Sequence, residues 1–348
     1  MSQNNTLDCP FTKYPPLTSG LIRKIPEDFQ VEEILPITAS GEGEHLWIQV
    51  YKRQMTTQEV AAQLAKWAEV QRRAVSFAGQ KDKYSETTQW FSIQLPGKPD
   101  PENNFSNDNC KILTQKRHAQ KLRRGVLKAN RFKITVREVR GDHQALEEKI
   151  KQIQQKGVPN YFGEQRFGRD GNNVERARDF FARRYKPKGR EQRSMLLSAT
   201  RSWIFNQVLA ERVKLGNWYT PIRGDLLMLS GSHSIFQFEE NDSEIPARIE
   251  RGDLSPTGPL FGKEKLNVMH DAAVLENKIL EQNPELAEGL LKAGLKAARR
   301  SLRVIPEDFI FEWQGEKTLV LSFILPPGCY ATTLLRELVN YQDASRQF

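Results

Sequence analysis

Cysteine is scarce in this sequence. Only Cys9, Cys110 and Cys329 occur among 348 residues. Their number is odd and no CxxC pair exists, which argues against a disulfide framework and a cysteine zinc site. The five histidines, His45, His118, His143, His233 and His270, never stand at HxxxH or HxH spacing, so a histidine metal site has no support either. GxxxxGK[ST], GxGxxG after a strand, GxSxG and HExxH are all missing, so no familiar catalytic set competes for attention. No apolar stretch approaches the ~20 residues that a membrane span needs. The first twenty residues are polar, contain three prolines and lack an apolar h-region. The expectation is a soluble, cytoplasmic protein with no membrane association. There is no internal repeat and no long low-complexity segment.

What is present is an ordinary globular composition with a basic excess. Hydrophobic residues make up 38% and charged residues 27%, which excludes a mostly disordered chain. The length favours two domains, because single cores stop growing near ~250–300 residues. Lys plus Arg number 52 against 43 Asp plus Glu, a net charge of +9. The excess is concentrated. Residues 111–140 hold eleven Lys or Arg and one acid, Glu138, and residues 160–200 add ten bases against five acids. Like charges packed this closely repel unless an anion sits among them. Phe132 and other apolar residues are interleaved, so the first run reads as an ordered surface. Two such patches suggest a groove for a folded nucleic acid, without distinguishing DNA from RNA.

Strands are expected at Gln30–Leu35, Leu46–Lys52 and Trp90–Gly97, and Val75–Lys83 reads as a short strand running into a Gly79 turn. The runs KILTQKR and RFKITVREVR, around a Gly125 turn, read as a β-pair with one charged face. Helices are expected over Thr56–Val70, with Thr57 as the cap, and over His143–Gly157, Ser194–Gly216, Glu285–Val304 and Ala331–Tyr341. Residues 157–173, with four glycines, read as a loop. Residues 217–262 are short strand-like pieces, and 307–328 is a hairpin.

One short string could do chemistry. Gly79-Gln80-Lys81-Asp82-Lys83 sets a carboxylate between two ammonium groups directly after a strand. Flanking cations favour the ionised carboxylate, and an ionised carboxylate in a polyanion groove can act as nucleophile or base. From spacing alone an ordinary turn aspartate is the better reading, since short KDK strings are common. The acids Glu239, Glu240, Asp242 and Glu244 form the one run that a metal nuclease could use, and they read better as a solvated loop.

The string FAGQKDKYSETTQWFSIQLPG at Phe77–Gly97 strongly resembles the TruD family of tRNA pseudouridine synthases. Further matches follow in chain order: PEDFQVEE at Pro26–Glu33, GEGEH at Gly41–His45, GVLKANRF at Gly125–Phe132 and VPNYFGEQRFG at Val158–Gly168. LSATRSWIFNQVLAER at Leu197–Arg212 and LPPGCYATTLLREL at Leu325–Leu338 complete the series. The resemblance spans nearly the whole chain and is weakest at 217–262.

The resemblance implies conversion of a tRNA uridine, position 13 of the D-arm in the bacterial family, to pseudouridine, with no metal or cofactor. By the family motif Asp82 is the catalytic aspartate. Arg23, where the family often has Lys, could pair with Asp82; the change keeps the charge and alters the geometry. Phe29 and Phe132 could stack on the extruded base, at ~1–3 kcal/mol each, although core packing is the better reading of each ring alone. Asn130 could read the uracil edge. Tyr330 could support the pocket, where relatives often carry Phe. Lys81, Lys83, Lys121, Arg123, Arg124, Lys128 and Arg166 are the expected RNA contacts, Arg166 being equally readable as part of a structural loop. The implied fold is α+β: a catalytic domain with a mixed, largely antiparallel sheet and helices (1–156 and 304–348), interrupted by an α/β TRUD domain at 157–303. The expected partner is tRNA, and nothing in the sequence demands more than a monomer. Two rivals stand beside this reading, a non-catalytic binder of structured RNA and a nucleic-acid hydrolase.

Overall fold

The computed structural model describes residues 9–102, 105–168, 171–264 and 267–347. The start of the expected lead-in, two residues of the polar loop before Cys110 and two of the glycine-rich segment lie outside the described residues. The chain divides into two compact units, both discontinuous in sequence. A sheet unit comprises Leu17–Gln144, Pro306–Gly328 and the chain from Val339 on. A helical unit comprises the chain up to Pro16, Ala145–Ile305 and Cys329–Leu338. Most of the helix His143–Lys156, and the segment Cys329–Leu338, therefore group with the helical unit.

The sheet unit contains β1 (Thr18–Ile22), β2 (Phe29–Ile34), β3 (His45–Arg53), α1 (Thr57–Trp67), β4 (Val75–Phe77), β5 (Glu86–Gln94), β6 (Ser106–Asn107), β7 (Cys110–His118) and β8 (Ala129–Gly141). The chain returns to it with β9 (Glu307–Trp313), β10 (Leu319–Leu325) and β11 (Asn340–Asp343). The path through the sheet is β9-β10-β8-β2-β5-β3-β7-β6; β1 pairs with β8 and β11, and β4 with β5. Only β1 with β11 and β2 with β5 are parallel among the described pairs, so the sheet is mixed and largely antiparallel, as expected.

Two local expectations are corrected here. The basic runs at 111–117 and 131–140 do not pair with each other, because β2, β5 and β3 lie between them. β8 alternates inward with Phe132, Ile134 and Val136, and these need apolar partners on both sides, supplied by β2 and β10. β7 buries only Cys110, so it can lie towards an edge of the sheet with its bases in water. The second correction concerns α1, whose cap is Thr56 rather than Thr57. The Thr56 hydroxyl accepts from the Glu59 amide while the Glu59 carboxylate accepts from the Thr56 amide, a reciprocal capping box. Thr57 turns inward instead. Val60, Ala61 and Leu64 of α1 then pack on Leu46, Ile48, Val50, Phe91 and Ile93.

The helical unit is built on the long helix Arg190–Lys214, which ends before Gly216 in the left-handed region (φ 73°). Phe167, Phe205, Leu209, Leu286 and Leu290 form its core. Helices Asn172–Phe181 and His270–Glu281 were not expected from the sequence. The helix expected over 285–304 stops at Ala293, where Gly294 adopts a left-handed cap (φ 72°). The continuation, Ala298–Ser301, is a strand paired antiparallel with Leu254–Leu260; the burial of Arg299 against Glu276 overrides the helical preference of its alanines. The helix expected over 331–341 likewise stops at Leu338, and the residues after it become β11.

Candidate active site

Asp82 lies in the loop joining β4 to β5. That loop is tied to the sheet and to α1 at Gly79, Lys81 and Asp82. The Lys81 amide donates to Thr57 Oγ1 (3.0 Å), and Thr57 Oγ1 donates to Gln89 Oε1 (3.0 Å). Gln89 Nε2 donates to the Gly79 carbonyl (2.6 Å). The Asp82 carbonyl accepts from Ser85 Oγ and from Lys52 Nζ, both at 2.9 Å. These bonds leave the Asp82 side chain 43% exposed on a rigid support.

The cation on the Asp82 carboxylate is Arg23. Its Nη2 donates to Asp82 Oδ2 at 2.9 Å and its Nη1 to Asp343 Oδ2 at 2.6 Å. The guanidinium lies 4.0 Å from the centre of the Phe29 ring. Lys81, expected to flank the aspartate, instead pairs with the buried carboxylate of Glu33 and is only 10% exposed. Arg23, distant in sequence, is thus in ion-pair contact with Asp82, while Lys81 beside it in sequence is paired with Glu33. Lys83 is exposed.

Phe29 and Phe132 are 4% and 7% exposed. Their rings meet edge to face at 6.3 Å, and Phe132 stacks on Phe323 at 5.5 Å. Core neighbours therefore cover much of both rings, and Phe29 is a platform for Arg23. Asn130, opposite Glu33 across β2 and β8, is buried with its Oδ1 unpartnered. An unpaired buried acceptor costs ~1–3 kcal/mol, a cost that a donor on a bound molecule would offset.

The basic loop 119–128 is pinned beside the Asp82 loop. Trp47 Nε1 donates to the Gln120 carbonyl, the Leu122 amide to Ser92 Oγ and the Gly125 amide to the Ala78 carbonyl. Lys121, Arg123, Arg124 and Lys128 are exposed on it, and the Arg124 guanidinium sits 5.6 Å from the Phe77 ring. Lys83 is thus exposed beside Asp82 in the chain, while these four bases are exposed on a separate loop that meets the end of β4 at Ala78. Tyr330 and Arg166 belong to the helical unit. There Arg166 donates to the Tyr330 hydroxyl (3.0 Å) and to Ser198 Oγ (3.1 Å). Gly163 lets the Tyr330 ring approach, since a Cβ there would lie 3.0 Å from the ring.

Four residues that hold the loop were not expected in that role from the sequence: Lys52, Glu33, Gln89 and Thr57, the last expected only as a helix cap. Two of them left a signal. Lys52 and Glu33 occupy inward positions of β3 and β2, continuing Ile48-Val50 and Phe29-Val31, where a charge is out of place. Burial pushes the Lys52 ammonium down to about 8, opposed by the nearby Asp82 carboxylate. Burial likewise pushes Glu33 up, opposed by Lys81.

Comparison with known proteins follows the same lines. A sequence profile described as tRNA pseudouridine synthase D (TruD) matches residues 10–177 and 187–338. A protein of Nitrosococcus oceani named tRNA pseudouridine synthase D is 44% identical over 338 residues, covering 96% of this chain and 94% of that one. One of Pseudomonas putida strain KT2440 with the same name is 43% identical over 332 residues, covering 95% and 94%. A solved structure from Methanosarcina mazei, described as a TruD protein, superposes with a TM-score of 0.69 at 23% identity, covering 96% of this chain and 95% of that one. That likeness shows a shared fold.

Proposed function

We propose a function from one premise: this chain belongs to the tRNA pseudouridine synthase D (TruD) family. As a member it is an isomerase acting on uridine in tRNA. Within that activity, the proposed target is uridine 13 of the D-arm and the proposed catalytic residue is Asp82. The two units would correspond to the catalytic domain and the inserted TRUD domain, and the protein would work as a cytoplasmic monomer.

The observation that carries the reading is the half-exposed Asp82 carboxylate, paired with the buried Arg23 and mounted on a loop whose backbone is held by four side-chain hydrogen bonds. The reaction breaks the bond from C1′ to N1 of uracil, turns the base and joins C1′ to C5. Atoms balance within the substrate, so no co-reactant is consumed. A carboxylate acting on the sugar or the base must be presented at fixed geometry, because misplacement by 1 Å can cost ~100-fold. The unpaired Asn130 Oδ1 suits an N–H of an extruded uracil. The exposed bases Lys83, Lys121, Arg123, Arg124 and Lys128 suit phosphates of the bound RNA. Lys81, engaged with Glu33, serves the loop rather than the RNA.

A hydrolase reading finds little footing. Glu239, Glu240, Asp242 and Glu244 are exposed around a turn, where the Asp242 side chain accepts from the Glu244 amide. The test is carbodiimide-probed primer extension on an unmodified tRNA transcript. A new stop at position 13 with wild type and none with Asp82→Asn, binding being retained, is expected. A stop elsewhere would revise the target, and a stop with Asp82→Asn would remove the catalytic assignment.

A further inference from the structure

We propose that Asp343 is a positioning residue for the reaction: it holds the Arg23 guanidinium in the orientation that sets it on Asp82. The proposal rests on the reading of Asp82 as catalytic. Asp343 lies beyond residue 338, where the family profile ends, and no motif in the sequence points to it.

The geometry divides one guanidinium between two carboxylates. Nη1 is committed to Asp343 Oδ2 at 2.6 Å and Nη2 to Asp82 Oδ2 at 2.9 Å. The two acids differ in exposure, Asp343 at 9% and Asp82 at 43%. An arginine tethered only to a half-exposed carboxylate gains little from the pair, because water competes and the long side chain must be frozen. An arginine tethered to a desolvated carboxylate is fixed, and leaving either partner alone would be strongly unfavourable. Asp343 is therefore the stronger anchor and Asp82 the group towards which the anchored cation is aimed.

Asp343 is itself immobilised. Its Oδ1 accepts from the Ser345 amide (3.1 Å) and the Ser345 hydroxyl (2.6 Å). The parallel pairing of β11 with β1 puts Asp343 opposite Ile22, next to Arg23. Arg23 adopts a left-handed backbone (φ 54°), which a non-glycine residue keeps only when its surroundings demand it. The tether to Asp343 and the Phe29 ring beneath the guanidinium are surroundings of that kind.

The test is a double-mutant cycle on the full chain, with single-turnover and steady-state pseudouridylation of a tRNA transcript as readouts. Asp343→Asn should lower kcat about 10- to 100-fold while KM and RNA binding stay within about twofold. Combined with Arg23→Ala, it should add less than about twofold to the loss from Arg23→Ala alone, because its effect passes through that side chain. Wild-type kcat in Asp343→Asn, or a double loss equal to the product of the single ones, would overturn the proposal. If Asp343→Asn does not give a cooperative melt, Ser345→Ala decides. A partial kcat loss that vanishes in the Arg23→Ala background supports the proposal, and no loss or an additive one overturns it. Asp82→Asn runs in parallel. Its turnover, if retained, removes the underlying reading; lost turnover there with normal turnover in Asp343→Asn removes this inference alone.

Discussion

Each unit holds an arginine–aspartate pair with a 2.9 Å contact, and the two pairs differ in what surrounds them. In the helical unit Arg212 and Asp225 are 3% and 1% exposed. The guanidinium grips both carboxylate oxygens and also donates to the Asn217 and Thr220 carbonyls. Asp225 further accepts from the Ile222 amide. In the sheet unit Arg23 is as deeply buried, yet Asp82 stands 43% exposed. A closed pair of the first kind stabilises a fold chiefly by making its own disruption costly. An open pair of the second kind adds little stability and keeps a carboxylate where a ligand can replace water. The same two residue types thus serve structure in one unit and, on our reading, chemistry in the other.

The contrast can be broken by exchanging charge for amide in each pair. Asp82→Asn is expected to lower the pseudouridylation rate by ~10,000-fold or more, about 5.5 kcal/mol in barrier. Its melting temperature should stay within about 2 °C of wild type, as scanning calorimetry would show. Asp225→Asn is expected to do the reverse, lowering stability by ~3–5 kcal/mol in denaturant titration. Melting like wild type would remove the contrast.

Lys52 sharpens it further, as a buried cation that makes no ion-pair contact with a carboxylate among the described residues. It donates to the Met55 and Asp82 carbonyls, and burial lowers it from 10.5 to about 8. Between those values the unfolded chain binds more protons than the folded one. Stability should therefore rise with pH across that window, by up to about 3 kcal/mol, with the full cost of burying the charge present below pH 8. Lys52→Met should flatten this rise, measured as denaturation midpoints at pH 7.5 and pH 10. An unchanged slope would mean that another group titrates. The smallest effect is expected from Thr56→Ala, which removes the cap of α1 and should cost ~1 kcal/mol by denaturant titration.

Much of this molecule was legible without coordinates. The strands at 30–35 and 46–52 and the hairpin at 307–328 announced themselves by alternation, and the family motifs carried the fold and the candidate aspartate. The partner of that aspartate is subtler. Arg23 was expected to pair with it from the resemblance, whereas the residues beside it offered two flanking cations, Lys81 and Lys83, of which Lys81 turns to Glu33. The apparent β-pair of basic runs failed because alternation reports that a segment is a strand and says nothing of which strand lies beside it. The helix at 285–304 failed for a related reason. Its alanines favour a helix locally, but Gly294 closes it and the next residues find a strand to pair with.

The sequence by itself determined the strands at 30–35 and 46–52, the hairpin at 307–328, the basic excess and the place of Asp82 after a strand, since caps, alternation and glycine conformations act over a few residues. Tertiary structure alone decided that Arg23, Asp82 and Asp343 would meet. They come from the end of β1, from the loop after β4 and from β11, and only the register of β11 on β1 brings the last of them into reach. Register is set by the summed packing and hydrogen bonding of whole strands, a quantity that no short window of residues contains.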